Sequence, residues 1–155
     1  MYDYVDRPVR ELDRHACLLV WSMRAWVTAR ASRQCPGGVL AGPFARSGNL
    51  FALQPFLRLM GTLDRHAMAP MAFHPLACPR VSEQEAILLG LVKAMSTAPA
   101  TEVRDAVGLL VDDAAVGDAL VALDGLATAI GLSVGPLPDA GTGPGDAWGR
   151  LPLWQ

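Results

Sequence analysis

Lysine is almost absent from this chain: twelve arginines accompany a single lysine, and charged residues make up only 18% of the 155 residues. This composition excludes the low hydrophobicity and high charge that keep a chain disordered. With 52% hydrophobic residues, the sequence predicts one globular domain that is large enough to bury a core without disulfides or metals.

Long apolar runs are also lacking. The uncharged stretch Ala16–Met23 on the predicted first helix falls well short of the roughly 18–20 residues that span a bilayer. The first six residues show neither the basic region nor the apolar region of a signal peptide. We therefore expect a soluble cytoplasmic protein without a membrane segment.

Cysteines are few and unpaired in sequence. Cys17, Cys35 and Cys78 form an odd set without a CxxC motif, which argues against a disulfide framework and fits a reducing compartment. Phosphate-binding glycine motifs and glycine-flanked nucleophile elbows are missing as well. These absences favour a non-enzymatic protein.

Charge is distributed unevenly between the two halves. Residues 1–80 hold ten arginines against five acidic residues, a net +5, whereas residues 81–155 carry a net −7. The two halves can neutralise each other within the fold, or the basic half can face an acidic partner. We favour the intramolecular interpretation.

The pattern predicts an all-α fold, an irregular bundle of about five helices over residues 1–132. The first helix is expected from residue 7 or 8, capped by Asp6, to just before Cys35. The second stretch covers 43–66, where Pro55 predicts a kink or a break in the middle of the bundle.

A stiff, proline-rich loop is expected over residues 69–81, with any short strands confined to it. Ser82 and Glu85 then form the S-x-x-E pattern of a capping box at the start of the third helix. Two further helices follow at about 101–112 and from an Asp112 or Asp113 cap to Gly131.

Residues 133–155 form a glycine- and proline-rich tail that nevertheless carries large apolar side chains. Leaving tryptophans in water at a terminus is unfavourable. We predict that Trp148, Leu151 and Trp154 anchor this tail in a groove, either on its own chain or on a neighbouring copy.

Arginines recur at helical spacing on the predicted first helix. Arg10, Arg14, Trp21 and Arg24 fall on one helix face, which we expect to point outward as a binding surface. Trp and Arg are enriched at protein–protein hot spots, so this face predicts a homodimer or a protein partner. The same face could bind nucleic acid, although the acidic pI of about 5.8 and the scarcity of lysine argue against it.

A second group of residues carries potential metal or thiol chemistry. Cys35, His66, His74 and Cys78 could bind zinc if the fold gathers them, but Pro75 is expected to keep His74 and Cys78 apart. Cys78 is the best candidate nucleophile, because it lies beside Arg80 and just before a helix, with His74 or His66 as its base.

Three functional interpretations remain. The leading one is a non-enzymatic interaction or regulatory protein that works through protein–protein contacts as a homodimer, without a cofactor. The first alternative is a small metal- or redox-sensing protein that uses Cys35, His74 and Cys78. The second is a nucleic-acid-binding regulator that uses the face between Arg10 and Arg24.

Overall fold

In the computed structural model, the described part of the chain is residues 3–132, which confirm the all-α prediction. The predicted tail, with its anchor residues Trp148, Leu151 and Trp154, lies outside the described residues. Within residues 3–132 a short 3₁₀ helix, Val9–Glu11, precedes six α-helices. These are α1 (Arg14–Ala31), α2 (Pro36–Arg46), α3 (Leu50–His66), α4 (Glu83–Thr97), α5 (Ala100–Gly108) and α6 (Val116–Leu132).

Helices α3 and α6 form the most extensive pair of the bundle. They run antiparallel, because Arg58 of α3 pairs with Asp118 at the start of α6, while Pro55 faces Gly125 further along it. A Cβ on Gly125 would lie 3.3 Å from the Pro55 Cβ, so the missing side chain permits this close approach. Helix α2 covers α1 and α3, and α4 and α5 pack on α6.

The sequence predicted a kink or a break at Pro55 within the stretch 43–66, but no break occurs there. The chain turns instead at Ser47–Asn49, where Gly48 adopts a φ of +74° that side chains disfavour. Pro55 lies inside an uninterrupted α3. Helix α2 begins at Pro36, seven residues before the predicted stretch, and the turn separates it from α3. Residues 3–132 therefore contain six α-helices, whereas five were predicted.

Helix α1 begins later than predicted. Asp13, not Asp6, caps it, and its carboxylate accepts hydrogen bonds from the backbone N–H of His15 and Ala16 at 2.9 Å. Asp6 has a φ of +58° and lies in a turn. Arg10 therefore belongs to the 3₁₀ helix and does not share a helix with Arg14.

The loop between α3 and α4 is fixed at both ends by backbone pairing. Its start pairs with the segment after α5, through Met68 N–H to the Leu110 carbonyl at 2.9 Å. Its end pairs with the N-terminal segment, through Val9 N–H to the Pro79 carbonyl at 2.8 Å. Only isolated β-bridges occur at these places in the described chain. None of the helices described is long and apolar enough to cross a bilayer.

Candidate functional site

A buried ion pair lies beneath the α3–α4 loop. Arg24, in the middle of α1, is only 2% exposed, and its guanidinium donates to both carboxylate oxygens of Glu85 at 2.8 and 2.9 Å. Glu85 is fully buried in the first turn of α4. The bidentate geometry is the strong form of this interaction, and burial of the two charges requires it.

The same pair fixes four backbone groups of the loop. Arg24 donates to the carbonyls of Cys78 and Arg80, each at 2.6 Å. Glu85 accepts from the N–H of His74 at 3.1 Å and from that of Ser82 at 2.9 Å. The capping box predicted from the sequence is present. Its glutamate also accepts hydrogen bonds from the Arg24 guanidinium and from the His74 N–H.

The predicted outward binding surface is therefore wrong for two of its four residues. Arg24 is sealed in the core, and Trp21 is 7% exposed, with an indole N–H that has no acceptor among residues 3–132. Arg14 is exposed and donates to the Ser47 carbonyl at the end of α2, while Arg10 is exposed on the 3₁₀ helix. The physical reason is that α1 is surrounded: every residue from Leu18 to Trp26 is buried.

His74 and Cys78 come together, contrary to the expectation that Pro75 would separate them. A turn closed by the Cys78 N–H and the Pro75 carbonyl at 3.0 Å brings the Cys78 Sγ to 3.3 Å from His74 Nδ1. A helix is thus unnecessary for this contact, because proline readily occupies a turn.

The remaining members of the predicted metal site do not join this pair. His66 ends α3, where its Nδ1 lies 2.9 Å from a carboxylate oxygen of Asp112. Cys35 is exposed at the start of α2. Among residues 3–132 no group of three or more His, Cys, Asp or Glu side chains is placed to hold a metal ion.

The surroundings of His74 define its role towards Cys78. Its Nδ1 also lies 3.0 Å from the Arg80 carbonyl, which can only accept a hydrogen bond. In the tautomer that carries the proton on Nδ1, the imidazole N–H donates to this carbonyl, and the Cys78 sulfur lies 3.3 Å from the same nitrogen. In this tautomer Nδ1 is a donor beside the Cys78 sulfur, whereas the predicted role of a base requires Nδ1 without a proton.

Cys17, by contrast, has a structural environment. Its thiol donates to the Val9 carbonyl at 3.2 Å and so holds the 3₁₀ helix against α1. Burial, reinforced by the charge of Asp13, raises the pKa of the Cys17 thiol to about 11. A thiol in this state is inert at neutral pH.

The first half of the loop forms one wall of an open groove of about 600 Å³. We call this the methionine groove; α1 and the end of α3 complete it. Its apolar lining includes Trp26, Val27, Met60, Met68, Met71 and Phe73. At its edge Arg30 pairs with Asp64 at 2.9 Å and lies 5.6 Å from the centre of the Trp26 ring.

Sequence reasoning missed this groove, because its parts come from three separate segments. One signal was present: the apolar side chains of the proline-rich loop predict that it packs against the body, and Met71 and Phe73 do so. Met68, however, remains 68% exposed at the rim. No protein-family model, curated protein or solved structure matches this chain.

Proposed function

We propose that this chain is a non-enzymatic interaction protein that binds an apolar segment of a protein partner in the methionine groove. The observation that carries this proposal is the open groove itself, in which methionine, indole and phenyl side chains are gathered beside a single ion pair. The three free cysteines support the further proposal that the protein works in the reducing cytoplasm.

The chemistry of the groove suits a peptide. Methionine side chains are flexible and polarizable, so a surface rich in them adapts to varied apolar side chains. Met68 is exposed and Met71 is half-buried in the groove, whereas Met60 lies buried behind them. The Arg30–Asp64 pair at the edge provides polar groups that can orient a bound backbone.

Other exposed apolar residues do not compete well as a docking surface. Phe51 and Leu109 are exposed on the first turn of α3 and at the end of α5, outside the groove. Single exposed hydrophobic residues are normal on soluble proteins, whereas a concave cluster marks a binding site. Because Trp21 and Arg24 are buried, the face that predicted a homodimer no longer supports one.

The test is selection of random 12-residue peptides displayed on phage against the full chain. We expect the selected peptides to be rich in Trp, Leu and Phe. Their affinity, measured by fluorescence polarisation, should fall about tenfold or more in Met68→Arg, because a charge then occupies the apolar rim. Val121→Arg is the matched control, since Val121 is 57% exposed on α6 and does not line the groove.

Two results contradict the proposal. The first is that selection enriches no peptide against a folded chain. The second is that Met68→Arg and Val121→Arg bind the selected peptides equally well, which would place the binding surface elsewhere.

A second function, a thiol site that responds to peroxide, is favoured by the contact of 3.3 Å between Cys78 and His74. In this proposal the Cys78 thiolate attacks one oxygen of hydrogen peroxide, the O–O bond breaks, and an S–O bond forms to give the sulfenic acid. The departing hydroxide takes a proton from solvent and leaves as water. The His74 N–H supports the reaction by stabilising the thiolate.

This second proposal is tested in a Cys35→Ser background, which leaves Cys78 and Cys17, and the raised pKa of the Cys17 thiol keeps that residue unreactive. We expect dimedone, a reagent that reacts with sulfenic acids, to label Cys78 after peroxide treatment. His74→Ala should slow the labelling, while the His74 backbone N–H still reaches Glu85. Labelling that proceeds at the same rate without the imidazole would refute a role for this pair.

A further inference from the structure

The methionine groove is open to solvent, and the chain continues beyond the end of α6 with a segment that matches it chemically. We infer that residues 148–154 of the same chain occupy the groove and compete with an outside partner. This inference rests on the proposed function, because it takes the groove as a docking surface and names its resident ligand.

The composition of this segment fits the lining of the groove. Two tryptophans and two leucines lie within seven residues, the large apolar anchors that a Met-rich surface accepts. Arg150 is the only charged side chain between Trp148 and Gln155. The Asp64 carboxylate at the edge of the groove is 39% exposed and can share this second guanidinium.

The position of α6 makes the groove reachable. Since α6 runs antiparallel to α3, its last residue, Leu132, lies towards the end of α3 that begins at Leu50. Asp64, at the groove, is fourteen residues further along α3, which corresponds to about 21 Å at 1.5 Å per residue.

The connecting residues have a matching length. Fifteen residues, 133–147, separate Leu132 from Trp148 and are rich in glycine and proline, so the chain makes sixteen residue-to-residue steps between the two. A flexible chain of this length has a root-mean-square span of about 20–24 Å, and fully extended it reaches about 53–58 Å. A linker gives the highest effective concentration, about millimolar, when its average span equals the distance between the two sites that it joins. The segment of the same chain therefore has an advantage over a second copy at ordinary protein concentrations.

The experiment uses the full chain and a fluorescein-labelled peptide of residues 144–155. We expect the peptide to bind the double variant Trp148→Ala, Trp154→Ala about tenfold or more tightly than the unchanged protein, because the resident segment no longer competes. Adding Met68→Arg to the double variant should abolish this binding, and adding Val121→Arg should preserve it.

Hydrogen exchange of the full chain gives a second, independent readout. Amides of residues 148–154 should be protected in the unchanged protein and in Val121→Arg, and exposed in Met68→Arg. This measurement does not depend on how well the double tryptophan variant folds.

The outcomes separate this inference from the proposed function. Equal peptide affinity for the unchanged and the double-variant chain overturns occupation by the same chain. If the peptide binds neither chain while phage-selected peptides still bind in a Met68-dependent way, the named occupant is wrong and the groove remains a docking surface. A dimer in light scattering that the double variant converts to a monomer overturns occupation within one chain and places the segment in a second copy.

Discussion

Replacement of Arg24 by methionine is the sharpest test of how this fold is held together. Methionine keeps a long unbranched side chain, but the Glu85 carboxylate then stays buried without its cation. The carbonyls of Cys78 and Arg80 lose their hydrogen bonds from Arg24 as well. Breaking one side of a buried ion pair costs about 3–5 kcal/mol, a large part of the roughly 5–15 kcal/mol that stabilise a domain.

The assay is urea and thermal unfolding followed by far-ultraviolet circular dichroism. A loss of about 3–5 kcal/mol corresponds to a fall of roughly 6–20 °C in the melting temperature for a domain of this size. Arg58→Ala is the matched control, because the Arg58–Asp118 pair has a similar distance of 2.8 Å but both side chains are about half exposed or more. Its cost should remain below about 1 kcal/mol.

A double-mutant cycle identifies the cause of the loss. Glu85→Gln keeps the size of the side chain and an oxygen that accepts from the Ser82 N–H, but removes the charge. Arg24→Met combined with Glu85→Gln should therefore be less destabilised than the sum of the single variants, since no buried charge remains unpaired. If Arg24→Met unfolds at the same urea concentration as Arg58→Ala, or if the two changes simply add, the buried pair does not hold the loop in the way argued above.

Three further predictions follow from single residues. Cys17, with its raised pKa of about 11, should react with iodoacetamide at pH 8 about a hundredfold more slowly than a thiol whose pKa is the ordinary 9.0. The exposed Cys35 is the internal comparison, and equal reaction rates of the two thiols would contradict the structural role of Cys17. The hydrogen bond from His66 lowers the pKa of the Asp112 carboxyl, so its stabilising contribution is complete above the ordinary value of 3.8 and is lost as the pH falls through the lower folded value. Asp112→Asn should thus differ from the unchanged protein in urea midpoint near pH 5 and converge with it in stronger acid; a constant difference would refute the linkage. Gly125→Val should cost about 1–3 kcal/mol by pushing against Pro55, whereas Gly117→Val, where a Cβ meets open space, should cost less than about 1 kcal/mol in the same unfolding assay.

The sequence was sufficient for the helices that local chemistry specifies. The capping box at Ser82 and Glu85 fixes the start of α4, and periodic apolar residues indicate α4 and α6. The predictions were wrong where packing between distant segments decides which side chains are buried. Helix α1 is buried on every side from Leu18 to Trp26. The spacing of its arginines therefore could not show that Arg24 points inward.

Signals for the candidate site were present but separate. Arg24 follows an uncharged stretch, and Glu85 belongs to a capping box, yet neither pattern names the other residue as its partner across 61 positions of the chain. The opposite net charges of the two halves indicated only that such pairs exist, and Arg58–Asp118 is another. The contact of His74 with Cys78 depends on a turn at Pro75, which spacing alone does not predict.

The buried pair explains why a charge is kept in this core at all. An apolar pair of similar size could fill the same space, and such replacements are often neutral or stabilising. Here, however, it would leave the Cys78 carbonyl and the N–H groups of His74 and Ser82 without partners, each at a cost of about 1–3 kcal/mol. The loop contains no regular secondary structure that could satisfy them. Arg24 and Glu85 therefore select one arrangement of a segment that supplies both a wall of the methionine groove and the His74–Cys78 pair.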